Sequence, residues 1–383
     1  MRLTRQVAAD DLTIGQKLLR VNWLVLVVMA AITTLGLAAL YSTGGGSFSP
    51  WAERHVVRFL AGAGVMLVVA VVARNVWLAL AYPIYLAALV LTGAVLFLGT
   101  EAGGAQRWLS FGGITFQPSE IMKLGLILAL ARYYQWIGPG GRVSHPLRLI
   151  VPLGLIAMPV VLTLVQPDLG TAVLLSGLGV TIMFLAGVNV LYFLGGAVGL
   201  AIAAPYVWAM LYPYQRKRLE VFLDPESDPL GAGYHIAQSK IALGAGGLNG
   251  RGFMQGTQSQ LDFLPEKRTD FIFTMFAEEW GFVGAVVLLG LFLLLLVLLL
   301  VMAARGASPF SRLVIAGTAT MIFTYVFINV AMVSGLVPVV GVPLPLVSYG
   351  GTAMLTTMLA VGLAMSCHDH RGQTMPRRIG AFI

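Results

Sequence analysis

Residues 169–215 form a run of 47 with no charged side chain, and residues 313–367 form a second such run. A helix needs roughly 20 apolar residues to cross a hydrocarbon core. Each run therefore holds two crossings with a break between them. In lipid every backbone N–H and C=O must find a partner within the protein, which leaves helices or a closed barrel. Runs this long and this apolar suit helices. The rest of the chain agrees, with 58% of its 383 residues hydrophobic and 10% charged, whereas soluble domains carry about 25% charged residues. An ordinary soluble domain is excluded, and an all-α polytopic membrane protein is expected.

In chain order, spans are predicted over residues 23–43, 56–73, 75–100, 119–136 and 149–165. Residues 169–215 supply two more, split near Gly187, Val188 and Asn189. An eighth covers 271–304 and is overlong, so its first turns should project beyond the lipid. Residues 313–367 supply the ninth and tenth. Their break falls between Gly335 and Pro345, where Pro338, Pro343 and Pro345 cannot sustain a helix. The expected organisation is one domain over 1–383. It comprises a tail 1–21, helices 1–7 in 22–212, a large loop 213–270 between helices 7 and 8, helices 8–10 in 271–367 and a tail 368–383. No cleavable signal is evident in the polar, basic start. Cys367 is the single cysteine, which rules out an internal disulfide framework.

Ten spans place both ends on one side. Thirteen Lys and Arg fall on that side: Arg2, Arg5, Lys17, Arg20, Arg74, Arg132, Arg142, Arg148, Arg305, Arg312, Arg371, Arg377 and Arg378. The short segments opposite hold four: Arg54, Arg58, Arg107 and Lys123. Seven more lie in the long loop, and long loops are discounted in the positive-inside rule. Both termini are thus expected in the cytoplasm and the large loop outside it.

Polar groups gather on the outer side in four places. Arg107 and Trp108 sit in a glycine-rich loop. Glu120 and Lys123 lie i, i+3 in the first turns of the fourth span, in the favourable order with the acid first. The long loop carries Lys240, and Arg251 closes the glycine-rich stretch 244–252, a weak phosphate-cradle pattern with no strand before it. The stretch 234–243 suits a short helix at the membrane interface, with Ile236, Lys240 and Leu243 on one face. The broken segment ends at Ser348 and Tyr349. Between loop and eighth span, residues 256–279 hold five acids and two bases. Ionisable groups at such a depth are expensive and usually functional. Asp270 begins the apolar helix and could serve only as a first-turn acid. Glu278 and Glu279 could simply bond to neighbouring helices, and Glu120 with Lys123 could be a self-neutralising structural pair. There is no zinc-type Cys/His spacing and no nucleic-acid motif.

Several motifs together resemble the SEDS family (shape, elongation, division and sporulation proteins). They are Gln106-Arg-Trp-Leu109, Gln117-Pro-Ser-Glu-Ile-Met-Lys-Leu124, Gln166-Pro-Asp-Leu-Gly170, Gly256-Thr-Gln-Ser-Gln260, Phe263-Leu-Pro-Glu266, Thr269-Asp-Phe-Ile-Phe273 and Pro343-Leu-Pro-Leu-Val-Ser-Tyr-Gly-Gly351. The resemblance covers nearly the whole chain, and Gly-Thr-Gln-Ser-Gln favours the elongation type over the division type. Two positions depart from the pattern, Arg268 where the family often has His and Thr274 where it often has Ala or Ser.

The resemblance implies a peptidoglycan glycosyltransferase of the bacterial inner membrane. Such a protein polymerises lipid II, a disaccharide-pentapeptide on undecaprenyl diphosphate. Implied partners are a class B penicillin-binding protein, which is the transpeptidase, and other elongation-complex membrane proteins. By motif, Asp270 matches the family's catalytic Asp, and Glu120 and Lys123 match its Glu and Lys. Substrate binding is expected from Arg107, Trp108, Glu120, Lys123, Lys240, Arg251, Glu266, Thr269 and Ser348. The leaving diphosphate calls for Arg or Lys; Arg107, Lys123, Arg216, Lys217, Arg218, Lys240, Arg251 and Arg268 all qualify. No protein-held cofactor is expected, and a Mg²⁺ carried by the lipid diphosphate stays open because it leaves little sequence trace. Two rival classes remain, a flippase for the same lipid precursor, which broken helices would also serve, and a scaffold for the penicillin-binding protein.

Overall fold

The computed structural model describes residues 14–102, 105–111, 114–138, 143–211, 213–224, 228, 231–260, 264 and 266–369. Both expected tails fall largely outside them, as do Arg142 and residues Phe263 and Pro265 of one motif.

A short helix α1 (Ile14–Arg20) leads into α2 (Trp23–Thr43), α3 (Trp51–Val71) and α4 (Arg74–Leu98). Three strands follow, β1 (Thr100–Ala102), β2 (Ala105–Phe111) and β3 (Ile114–Phe116). Then come α5 (Pro118–Ile137), α6 (Pro146–Val165), α7 (Leu169–Leu185) and α8 (Val190–Met210). The long loop contains α9 (Pro213–Leu223), α10 (Ala232–Gly246) and the single turn α11 (Thr257–Gln260). The chain continues with α12 (Ile272–Ala304), α13 (Pro309–Val333) and α14 (Gly351–Asp369). Seven of these, α2, α3, α4, α6, α12, α13 and α14, are long and apolar enough to cross a membrane. The helix α7 is shorter and apolar, α8 is apolar over Val190–Tyr206, and α5 is as long as a span but carries Glu120, Lys123 and Arg132.

The breaks fall where backbone chemistry demands them. Gly187, at φ +94°, ends α7, and the Asn189 side chain accepts from Leu191 N to cap α8. Residues 334–350 are non-helical, as the prolines require. The expected loop 101–118 is instead a small antiparallel sheet in the order β1-β2-β3. Alternating apolar residues with an aromatic, Trp108, let β2 pair with β3 from Leu109↔Phe116 to Phe111↔Ile114. The all-α expectation is corrected at this one place.

The overlong eighth span resolves into two arms. Gly281 has φ 66° and ψ −166°, so the helix breaks there. The glycine stretch 244–252 fills the break: Arg251 N and Gly252 N donate to the carbonyls of Glu278 and Glu279, at 3.0 and 3.1 Å. In return Phe282 N and Val283 N donate to Gly247 and Leu248. A Cβ on Gly281 would lie 2.2 Å from Gly250 N, so both glycines are required for this approach. These amides serve α12 and do not form a phosphate cradle.

The core lies where α5, α13 and α14 are enclosed. α5 packs on α4, α7 and α13; α14 packs on α3 and α13; α12 packs on α2, α10 and α13. α10 packs on α12 rather than lying loose at an interface. Its buried stripe is Ile236, Ser239 and Ala242, with Lys240 exposed. The polar Ser239 is inside because it donates to Val333 O at 2.7 Å and bonds to Thr274 at 2.8 Å.

Candidate functional site

Four helix ends meet at one end of the bundle, the N-termini of α5, α7 and α12 and the last turns of α13. Helix N-termini carry partial positive charge and unpaired N–H groups, so they favour anions. Asp168 caps α7, accepting from Thr171 N at 3.2 Å and Thr171 Oγ1 at 2.7 Å. Arg107 reaches from β2 to place its Nε 3.6 Å from Asp168 Oδ2. That nitrogen is buried and has no hydrogen-bond partner.

Glu120 and Lys123 lie on one face of α5 and are both buried. Lys123 Nζ donates to Glu120 Oε1 at 2.6 Å and also to the Tyr325 hydroxyl. Tyr325, buried on α13, donates to Glu120 Oε2. Both carboxylate oxygens of Glu120 are therefore satisfied. Together with Arg107, Asp168, Thr171 and Gly341, these groups line a small polar pocket of about 30 Å³.

An apolar trough of about 270 Å³ adjoins this pocket, walled by Pro167, Leu169, Val173, Leu219, Ile328 and residues 337–340. Arg107 lines both spaces, and Arg218 of α9 lines the trough. A site with an apolar trough leading to a cationic, acid-balanced pocket fits an amphiphile with an anionic head.

Asp270 stands at the rim, half-buried. A Cβ built on Gly341 would lie 3.3 Å from its Oδ2. Burial pushes its carboxyl from the ordinary 3.8 to about 6, and Glu266 adds to the rise while Arg218 and Arg107 oppose it. A carboxylate in that range is poised to accept a proton near neutrality. Backbone contacts fix its place. Asn329 Nδ2 on α13 donates to Asp270 O at 2.8 Å and to Val342 O at 2.7 Å. Ser348 Oγ donates to Thr269 O at 2.6 Å and accepts from Leu344 N, and Tyr349 N donates to Arg268 O. Segments 266–270 and 341–349 are thereby stitched together.

Not every expected residue joins the pocket. Thr269 Oγ1 donates to the exposed Glu266 carboxylate at 2.7 Å, so these two hold the turn before Asp270. Trp108 is half-buried on β2 and lines neither cavity, as alternation from Arg107 requires. Lys240 lies over the joint of the broken segment, its Nζ 2.8 Å from where a Cβ on Gly335 would be. Arg251 is exposed at the Gly281 break. Arg268 donates to Thr43 O and lies 4.7 Å over the Trp51 ring. Glu278 accepts from Thr257 Oγ1 and Gln258 N, and Glu279 accepts from Ser42 Oγ, so both tie segments together.

Sequence reasoning passed over Tyr325, Asn329 and the chemical place of Asp168. A signal existed for the first two. They are polar residues four apart in an uncharged run, hence on one helical face.

Fold and site define a polytopic helical membrane protein with a charged pocket beside an apolar trough at one end of its bundle. The chain belongs to the family described as cell cycle protein (FTSW_RODA_SPOVE), which matches residues 16–373. Peptidoglycan glycosyltransferase MrdB of Escherichia coli (strain K12) is 44% identical over 350 residues, covering 90% of this chain and 93% of that protein. The probable peptidoglycan glycosyltransferase FtsW of Thiomicrospira cyclica is 38% identical, covering 89% of this chain and 90% of that protein. One solved structure, described as structural coordination of polymerization and crosslinking by a peptidoglycan synthase complex, matches with a TM-score of 0.80 at 34% identity. It covers 92% of this chain and 99% of that chain. The Thermus thermophilus rod shape determining protein RodA matches with a TM-score of 0.69 at 30% identity, covering 92% and 98%.

Proposed function

We propose that this chain is a peptidoglycan glycosyltransferase of the elongation type, polymerising lipid II with Asp270 as general base. The observation that carries the reading is the junction of an apolar trough with a polar pocket where Arg107 and Lys123 face Asp168 and Glu120, and a carboxyl of raised basicity beside it. The 44% identity to MrdB, against 38% to the FtsW relative, supports the elongation type.

In this reaction the 4-hydroxyl of one GlcNAc attacks C1 of the MurNAc on a second lipid II. The O4–C1 bond forms as the bond from C1 to the diphosphate oxygen breaks. Asp270 takes the hydroxyl proton, and the diphosphate leaves with the electron pair. One base suffices for a single inverting displacement. The departing charge needs preorganised cations rather than an acid, and Arg107, Arg218 and Lys123 are the guanidinium and ammonium groups lining the two cavities. Thr269, Glu266 and Ser348 keep the turn that carries Asp270 in place, while Trp108, Lys240 and Arg251 line neither cavity and take no part in this scheme. Among the described residues no three His, Cys, Asp or Glu converge as metal ligands. A Mg²⁺ serving the reaction would accordingly rely on substrate phosphate oxygens and one or two carboxylates, its usual habit.

The full arrangement would have ten spans, counting α5, α7 and α8 with the seven longer helices, in the bacterial inner membrane. Both termini would be cytoplasmic and the loop 213–270 and the site outside. A class B penicillin-binding protein is the partner, supported by the match to a complex that joins polymerization to crosslinking.

The decisive experiment is Asp270→Asn, purified with its partner and shown to be monodisperse. Asn keeps the shape of Asp but has no basicity. No cap is lost, since α12 has Phe271 at its N-cap, no side-chain cap bond and no acid in its first turn, against the first-turn role that the sequence left open. Polymerisation of lipid II should fall by about 10² to 10⁴, the usual share of general base catalysis, with lipid II binding retained. Polymerisation near that of the parent would remove Asp270 from the mechanism. Lipid translocation without glycan synthesis by the parent protein would favour a flippase.

A further inference from the structure

We propose that Asn329 is the positioning residue for Asp270, holding the turn that carries the base against the Gly341–Val342 backbone and so fixing where its carboxylate meets the acceptor hydroxyl. The proposal rests on the reading of Asp270 as base.

Asn329 is fully buried on α13, one helical turn after Tyr325. Its amide nitrogen spends both protons on two carbonyls from different segments, Asp270 O at 2.8 Å and Val342 O at 2.7 Å. No backbone ladder joins these segments at that point, so the side chain acts as a two-pronged spacer. Its length fixes how far residue 270 stands from residue 342. The adjoining residue, Gly341, has φ +71° and no side chain, and a Cβ there would lie 3.3 Å from Asp270 Oδ2. The carboxylate thus lies close against bare backbone at Gly341, which itself lines the pocket of Glu120, Lys123 and Arg107. The other carboxamide atom, Asn329 Oδ1, is buried without a partner. An uncharged amide, with two protons on one nitrogen, can hold both carbonyls at once; a hydroxyl has one proton to give and a carboxylate none.

A general base must stand within hydrogen-bond reach of the proton it takes, and a 1 Å misplacement can cost about 10²-fold in rate. Releasing the spacer should therefore strike turnover and leave the pocket for the lipid head intact. It should also admit water to the Asp270 carboxyl and lower the pH at which the rate half-rises.

The test uses the full chain with its partner, comparing the parent with Asn329→Ala and with Asn329→Ser, whose single hydroxyl proton can serve only one carbonyl. Lipid II binding, kcat and KM are measured from pH 4.5 to 8. The proposal expects kcat down about 10- to 100-fold, KM and lipid II binding within about 3-fold of the parent, and the acid limb displaced to lower pH. Parental kcat and an unmoved limb in either folded variant would overturn it. So would a loss of rate with an unmoved limb and a matching loss of folded protein, since that is what a structural role alone gives. Asp270→Asn is run alongside. If that variant polymerises normally the base reading fails; if it is inactive while Asn329→Ala behaves as the parent, only the spacer fails.

Discussion

Replacing Lys123 by Met tests whether the pocket's charge balance has the energetic weight its geometry implies. In the intact pocket Glu120 Oε1 accepts from Lys123 at 2.6 Å and Oε2 accepts from Tyr325. The side chains of Lys123 and Glu120 are only 3% and 7% exposed. Lys123→Met leaves Glu120 with an uncompensated charge and one oxygen unpaired in a water-poor site. Breaking a buried pair from one side costs about 3–5 kcal/mol, which shifts a folding equilibrium by roughly a hundred- to several-thousand-fold. Met fills similar space, so lost packing contributes little. The double variant Glu120→Gln with Lys123→Met removes both charges and should return to within about 1–2 kcal/mol of the parent, because a buried pair is nearly neutral against uncharged neighbours of like volume. The measurement is unfolding in mixed detergent micelles followed by tryptophan fluorescence, with lipid II polymerisation assayed on the same preparations. Lys123→Met and the double variant should both polymerise poorly, since the head group loses its cationic contact. Stability of Lys123→Met equal to the parent would refute the energetic argument. Full activity of the swap Glu120→Lys with Lys123→Glu would show the pair to be structural only.

Four further outcomes follow. Because the Asp270 carboxyl is pushed up to about 6, polymerisation should fall about tenfold from pH 7 to pH 5 as the base is protonated; a flat profile there would contradict the assignment. A raised carboxyl favours the protonated folded form, so parent stability should decline as pH rises from about 4 through 6, and Asp270→Asn should lack that decline in the same unfolding assay. Gly281→Ala should cost about 3 kcal/mol or more in unfolding, since its Cβ would meet Gly250 N at 2.2 Å in a left-handed backbone; parental stability would dissolve the clasp. For topology, cysteines at Ser227 and Gln373, both outside the described residues, should label from outside and only after permeabilisation, respectively; labelling of both from the same side would defeat the ten-span arrangement.

Solvation and chain stiffness are local, and what depended on them was legible from residues alone. Two uncharged runs without water-compatible groups required paired crossings, and Gly187, Pro338, Pro343 and Pro345 marked where helices had to stop. The acid at the start of α12 and the i, i+3 pair on α5 were visible because charge at membrane depth needs a reason. Packing decided the rest. Tyr325 lies 205 residues from Glu120, and no periodicity in either helix reveals that a hydroxyl closes the charge pair. Asn329 reads as one polar residue in an apolar run until α13 is laid against Asp270 and Val342. Arg107 and Trp108 are neighbours in sequence, yet strand alternation sends only Arg107 to the junction of the two cavities. The glycines of 244–252 carry amides that suit an anion, but the break at Gly281 exposes carbonyls that claim them first. A side chain's partners are set by which helices enclose it, and that is fixed only when the bundle closes.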